Sequence, residues 1–98
     1  MFARIGIWRG NAEDLERWVT RSRREVRPMV ENLQGVKGAF WLLDREGAKA
    51  LTITLWESAE AMRKSDERAA TIQMGTSEAS GARFTTERYE IVEHFLKG

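Results

Sequence analysis

The feature that most limits the possible fold is the order in which strand-like and helix-like hydrophobic patterns follow one another along the chain. Four segments are rich in the β-branched and aromatic residues that favour strands, and they occupy residues 2–9, 36–43, 49–56 and 84–94. Between the first two segments, apolar residues recur every three or four positions from Leu15 to Leu33, which predicts an amphipathic helix. A second helical pattern begins at about Ser58. The predicted order is therefore β-α-β-β-α-β.

This order predicts an α+β, ferredoxin-like fold. Right-handed crossovers would place both helices on one face of a four-stranded antiparallel sheet. The chain has 98 residues and no internal repeat, which predicts a single domain over residues 1–98.

Cap and turn residues predict where the elements begin and end. Asn11 fits the N-cap of the first helix, and Gly35 fits its C-terminal cap. Pro28 predicts a kink or break just before it, because proline lacks the N–H that a helix interior needs. Residues 44–47 predict a tight turn between the second and third strands, with Gly47 at positive φ.

The second helical pattern is less regular. Its apolar spacing falters at Ser65, where we expect a second helical piece to begin. Residues 75–81, GTSEASG, are small and polar and predict a mobile loop. The last strand would then carry Tyr89, Ile91 and Val92 in its middle.

Composition argues against several classes of partner. The net charge of +1 argues against nucleic acid or an anionic membrane surface as a partner. No apolar run is long enough to span a bilayer, and no secretory signal is visible, so we expect a cytoplasmic protein. The absence of cysteine excludes thiolate metal sites, and no His or carboxylate set has the spacing of metal ligands.

Both faces of the predicted sheet carry large apolar residues. In the third strand, Leu51, Ile53 and Leu55 alternate with a mixed set, Thr52, Thr54 and Trp56. The purely aliphatic set predicts the face that the helices cover, which leaves Trp56 on the other face. Soluble monomers rarely expose a large apolar patch, so we expect a homodimer that packs sheet against sheet around a barrel-like interior.

Four stretches together resemble the antibiotic biosynthesis monooxygenase family of the dimeric α/β-barrel superfamily. They are RIGIWRGNAEDLERW, VRPMVENLQGVKGAFWLLD, ALTITLWESAEAMRKSDERAA and RYEIV, and they cover essentially the whole chain. The most specific elements are the strand-to-helix junction TLWESAEAM, followed by a serine, and the Gly-x-x-Gly of GVKG. The resemblance implies that one set of alternate positions looks inward, away from the helices: Ala3, Ile5, Ile7, Ala39, Trp41, Thr52, Thr54 and Trp56.

The family also includes haem-degrading enzymes, and the residues that those enzymes use can be compared with this sequence. That branch uses an Asn, a Trp and an axial His at positions that correspond to Ala3, about Ser65 and about Met74. None of the three matches, and the only histidine, His94, lies near the C-terminus. Haem degradation is therefore disfavoured, because no imidazole is placed to hold the iron.

The candidate site residues allow two interpretations. Trp56 and Trp41, with Ile5 and Ile7, would line an apolar pocket, in which Thr52 and Thr54 supply polar contacts. Alternatively, the two indoles fill the dimer interface, where aromatic residues are enriched.

Arg4 and His94 are the weak candidates for catalysis. Arg4 could bind a ligand carbonyl or acid, and histidine is the side-chain type that most often transfers protons near neutral pH. Against them, an arginine at a strand end is usually solvated or paired, and a lone histidine beside a C-terminus is usually exposed.

The function implied by the resemblance is cofactor-independent monooxygenation of an aromatic, quinol-type small molecule. The substrate itself would supply electrons to oxygen, so no cofactor is expected, and the protein would supply a dry cavity and hydrogen bonds to a developing oxyanion. The alternative is a non-catalytic small-molecule-binding or stress-associated module, whose cavity Trp56 and Trp41 fill themselves.

Overall fold

The computed structural model describes all of residues 1–98. It contains a four-stranded antiparallel sheet with the helices on one face. The strands are β1 (Phe2–Arg9), β2 (Val36–Asp44), β3 (Lys49–Trp56) and β4 (Arg83–Glu90), in the spatial order β2-β3-β1-β4. The helices are α1 (Ala12–Arg21), α2 (Arg27–Glu31), α3 (Ala59–Lys64) and α4 (Asp66–Ser80), and a π-helical turn, Ser22–Val26, joins α1 to α2. The predicted ferredoxin-like fold is confirmed.

The first helical arm consists of α1, the π turn and α2, and the second consists of α3 and α4. The first arm is continuous through Pro28. Asn11 caps α1 in a capping box, as its side chain accepts a hydrogen bond from the Asp14 N–H and the Asp14 carboxylate accepts one from the Asn11 N–H. The predicted break before Pro28 takes the form of the π turn, in which the Arg27 N–H donates to the Ser22 carbonyl five residues back. Pro28 then lies in the first turn of α2, where a helix does not need its N–H.

Trp56 lies under the helices, so the predicted orientation of β3 is wrong. Its side chain is fully buried in a cluster with residues of both helical arms, Val26, Val30, Leu33 and Met62. The indole Nε1 donates to Thr54 Oγ1 at 2.9 Å. In the same way, Trp8 Nε1 donates to Thr52 Oγ1 at 3.2 Å. The hydroxyls that looked unsuited to a core are therefore the acceptors that allow the indoles to be buried.

The aliphatic residues of β3 lie on the open face of the sheet, away from the helices. Ile5 pairs with Ile53 and Ile7 with Leu51, so these four side chains share that face. The expected grouping of Ile5 and Ile7 with Trp41, Thr52, Thr54 and Trp56 is therefore wrong. Phe40 and Leu42 extend the open face, and 45% and 44% of their surfaces are exposed.

A register shift between Val36 and Gly38 sets the faces of β2. Val36 pairs with Trp56 and Gly38 with Leu55, so Lys37 is an extra residue in the ladder. One inserted residue reverses the alternation of the side chains. Trp41 consequently faces the helices beside Thr52, and Phe40 faces away.

The segment 75–81, predicted as a mobile loop, instead ends helix α4. The helix continues to Ser80, and Gly81 terminates it in the left-handed conformation at φ 86°. In this segment α4 packs against α1: a Cβ at Gly75 would lie 3.1 Å from Arg21 Nη2, a tight contact that a small shift of the arginine side chain would relieve. Ser80 is buried, and its hydroxyl bonds the Thr76 carbonyl at 2.7 Å.

Two smaller predictions also differ from the structure, and a third agrees with it. In the β2–β3 turn, Ala48 rather than Gly47 has positive φ, because the Gly47 N–H is held by the Asp44 carboxylate. β4 ends at Glu90, so Ile91 and Val92 lie outside it. Ser65 does separate α3 from α4 as predicted. None of the four helices could cross a lipid bilayer.

Candidate functional site

A small interior cavity lies between the sheet and the helical layer. Its volume is about 40 Å³, and the sheet contributes Arg4, Trp41, Thr52 and Thr54 to its walls. The helices contribute mainly apolar side chains, together with Ser22, Gln73 and Thr76. A cavity of this volume holds a molecule the size of water, not an aromatic ring.

Three buried polar atoms around this cavity have no hydrogen-bond partner. They are Arg4 Nε, Ser22 Oγ and Trp41 Nε1, and all three residues belong to the cavity wall. Buried polar side-chain atoms in proteins usually have a partner, and leaving one unpaired costs about 1–3 kcal/mol. Three such atoms around one small space identify the cavity as a candidate site for a polar or anionic guest.

Arg4 is fixed in place by the start of the second helical arm. Its Nη2 donates to the Met62 carbonyl at 2.6 Å, to Ser65 Oγ at 2.9 Å and to Asp66 Oδ1 at 2.5 Å. Its guanidinium carbon lies 5.2 Å from the centre of the Trp56 ring, a cation–π contact. Arg4 therefore places a fixed guanidinium beside the cavity, with its charge partly neutralised by Asp66.

The charges around Arg4 affect one another. Burial lowers the pKa of the Arg4 guanidinium from its ordinary value, and the hydrogen bond and charge of Asp66 offset part of that effect. Burial alone would raise the pKa of Asp66. Arg4 and Arg88 outweigh this effect of burial through their hydrogen bonds and charge, and they hold the pKa of Asp66 below its ordinary value. Arg88 Nη2 lies 3.2 Å from Asp66 Oδ1.

We expect Asp66→Asn to reduce stability at neutral pH but not in strong acid. Because the folded-state pKa of Asp66 lies below the unfolded value of about 3.9, its contribution is fully present above that pH and disappears as pH falls through the folded pKa. Asp66 is 35% exposed, so the expected loss at pH 7 is only about 1 kcal/mol. Urea denaturation from pH 7 to 2 measures it, with Glu67→Gln, an exposed neighbour in no ion pair, as the control. A difference from wild type that persists unchanged at pH 2 would contradict the assignment.

An open groove adjoins the interior cavity on the β2 side of the molecule. It has a volume of about 820 Å³ and runs between the first helical arm and β2. Its apolar surface includes Val36, Ala39 and Leu43, and four further residues, Trp18, Ser22, Val30 and Trp41, belong to the walls of both the groove and the cavity. The groove can accept an aromatic molecule, and the shared wall brings that molecule next to the interior cavity.

The structure divides the candidate residues among four places. Arg4, Trp41, Thr52 and Thr54 meet at the cavity. Trp56 packs against the Arg4 guanidinium and is completely buried. Ile5 and Ile7 lie on the opposite face of the sheet. His94 is exposed in the C-terminal segment.

Sequence patterns did not single out Ser22, Gln73 or Thr76 as site residues. Ser22 interrupts the apolar stripe of the first helix, and a polar residue on a buried stripe is the pattern that could have identified it. Thr76 lies in the segment that was mistaken for a loop.

Comparison by sequence gives only distant relatives. No protein-family model matches the chain. The uncharacterized protein Rv2557 of Mycobacterium tuberculosis is 28% identical over 91 residues, which cover 93% of this chain and 41% of the relative. The chain thus spans about two fifths of the length of that relative.

Comparison by structure gives matches that cover nearly the whole of both chains. The monooxygenase ActVA-Orf6 of Streptomyces coelicolor, solved with the ligand nanaomycin D, superposes with a TM-score of 0.76 at 16% identity, over 99% of this chain and 92% of that one. A mutant of SnoaB, a cofactor-independent oxygenase from Streptomyces nogalater, superposes with a TM-score of 0.75 at 9% identity, over 98% and 97% of the two chains. The chain therefore has the fold of the antibiotic biosynthesis monooxygenases, which the sequence resemblance predicted.

Proposed function

We propose that this protein is a cofactor-independent monooxygenase that acts on an aromatic, quinol-type small molecule. The observation that carries the proposal is the set of three unpartnered buried atoms, Arg4 Nε, Ser22 Oγ and Trp41 Nε1, at a cavity that adjoins an aromatic-sized groove. The fold that the chain shares with ActVA-Orf6 and SnoaB supports the same class of reaction.

In this proposal the ring lies in the groove and its reacting edge lies against the shared wall. An anthrone-type substrate would lose the two hydrogens of its central methylene and gain one oxygen atom, while the second atom of dioxygen leaves as water. The methylene carbon gives up four electrons and dioxygen accepts four, so no external reductant is required. The interior cavity has room for a molecule of the size of water or dioxygen.

The protein's contribution would be electrostatic. Oxidation proceeds through an electron-rich anion of the substrate, and negative charge then passes to oxygen. Trp41 Nε1–H can donate a hydrogen bond to this charge, and the fixed guanidinium of Arg4 stabilises it across a water-poor space. Ser22 Oγ can donate or accept. His94 has no part in this scheme because it is exposed in the C-terminal segment.

The test is oxygen uptake with dithranol, a hydroxylated anthrone. We expect catalysed uptake by the 98-residue chain, and a fall in kcat of about ten-fold in Trp41→Phe, which keeps an aromatic ring but removes the N–H donor. Ser22→Ala should act in the same direction. Met74→Ala, at a position 63% exposed on α4, is the control and should leave uptake unchanged.

A second function, binding without chemistry, is favoured by one observation. The cavity wall contains no histidine or carboxylate, so no side chain there is an evident general base. Dithranol binding without oxygen uptake above the uncatalysed rate would favour this second function over the first.

We also propose that the protein is a homodimer that packs through the open face of its sheet. Central residues of that face, Ile5, Ile53 and Leu51, are apolar, and Phe40 and Leu42 remain nearly half exposed in the single chain. Such a surface is typical of a protein interface. Most of the groove's lining lies on the helical side of the sheet, and Phe40 is the residue that it shares with the proposed interface.

A further inference from the structure

The groove carries a concentration of positive charge that the whole chain does not have. Four cationic residues, Arg23, Arg27, Lys37 and Arg45, line it, against one carboxylate, Glu31. The chain as a whole is nearly balanced, at +1. Arg23 and Arg27 come from the first helical arm, while Lys37 and Arg45 lie in β2 and just after it, so the cations stand on both sides of the groove.

These cations differ in how much of their charge is already neutralised. Arg27 Nε lies 2.7 Å from Glu31 Oε1, and Arg45 is paired with Glu16. Lys37 has only a loose pair, with 3.6 Å between its Nζ and Glu57 Oε2. Arg23 forms no ion pair. Arg23, and to a lesser degree Lys37, are therefore available to an anionic ligand.

Apolar and charged residues occupy different parts of the groove. The apolar and aromatic residues, among them Val30 and Trp41, form the wall shared with the interior cavity, while the Lys37 and Arg27 side chains are at least half exposed. A ligand that matches this arrangement has an aromatic ring at one end and an anion at the other.

We propose, as a consequence that rests on the proposed function, that the groove selects aromatic carboxylic acids. The ring would pack against Trp41, and the carboxylate would face Arg23 and Lys37. This orientation presents the ring, rather than the acid, to the cavity. Electrostatic attraction of this kind is weakened by salt, because the cations are exposed.

Calorimetric titration with 2-naphthoate and with 2-naphthamide, its neutral analogue, tests the selectivity. At low ionic strength we expect the carboxylate to bind about ten-fold more tightly than the amide, and the difference to shrink in 0.5 M salt. Arg23→Gln should weaken naphthoate binding about three- to five-fold and leave naphthamide binding unchanged. The matched control is Arg24→Gln, which makes the same charge change one residue further along, outside the groove and in no ion pair.

Oxygen uptake separates this proposal from the proposed function. Equal affinity for the two naphthalenes, or equal losses in the Arg23 and Arg24 variants, would overturn the anion selectivity, even if dithranol is still oxidised. Selective binding of naphthoate without any dithranol-dependent oxygen uptake would support the selectivity and count against the oxygenase function.

Discussion

Replacing Trp56 with alanine is expected to lower the free energy of unfolding by about 3–5 kcal/mol. The indole is completely buried, and its removal would leave a large void between β3 and both helical arms. It would also leave Thr54 Oγ1 without its donor and remove the aromatic face on which Arg4 lies. Domains of this size are usually stable by about 5–15 kcal/mol, so the variant should be near its limit of stability. Urea denaturation followed by circular dichroism measures the change.

A matched pair of variants makes this result specific. Trp56→Phe keeps an aromatic ring but loses the N–H, and it should cost clearly less than Trp56→Ala. Met74→Ala, at an exposed site on α4, should change stability by less than about 0.5 kcal/mol. A loss below about 1 kcal/mol for Trp56→Ala would show that Trp56 is not packed as described.

Replacing Ile53 with glutamate is expected to convert the proposed dimer to a monomer. Ile53 lies opposite Ile5 on the two central strands, and therefore at the middle of the open face. In a two-fold dimer the substitution would bring two carboxylates into one apolar interface without a cationic partner, which is strongly unfavourable. Light scattering coupled to size-exclusion chromatography at micromolar concentration should give twice the chain mass for wild type and the chain mass for the variant.

Thr20→Glu is the control for this experiment, since it adds the same charge at an exposed position on α1 and should leave the dimer intact. The variant's circular dichroism spectrum shows whether Ile53→Glu remains folded. A wild-type chain that is monomeric at these concentrations would contradict the proposed interface directly.

The order and nature of the strands could be predicted because they depend on local patterns. β1 and β3 begin and end at the predicted residues, and the capping box at Asn11 follows from the side chains themselves. What alternation could not decide was which face the helices cover. A purely aliphatic set looked like the better core, yet the helices cover the set that includes Thr52, Thr54 and Trp56, in which the two threonine hydroxyls accept hydrogen bonds from the indole N–H groups of Trp8 and Trp56.

The groove could not be predicted because two irregularities shape it. The extra residue at Lys37 turns Trp41 toward the helices, and the π turn begins at Ser22, which lines the same groove. Neither has a reliable sequence signature, although π turns occur frequently at functional sites. Ser22 and Trp41 thus come together through departures from the two regular spacings on which sequence analysis relies.

The position of β1 in the sheet has a consequence for how the chain is made. β1 is synthesised first, but it is a central strand, and its two neighbours are β3 and β4. During translation it has no strand partner until residues 49–56 have emerged, and its other side stays open until residues 83–90 follow. Only the β2–β3 hairpin forms between adjacent segments. Of the four strands, the apolar β1 is therefore made first but lacks a partner until β3 has been made, and completion of the sheet depends on β4, the last of the four.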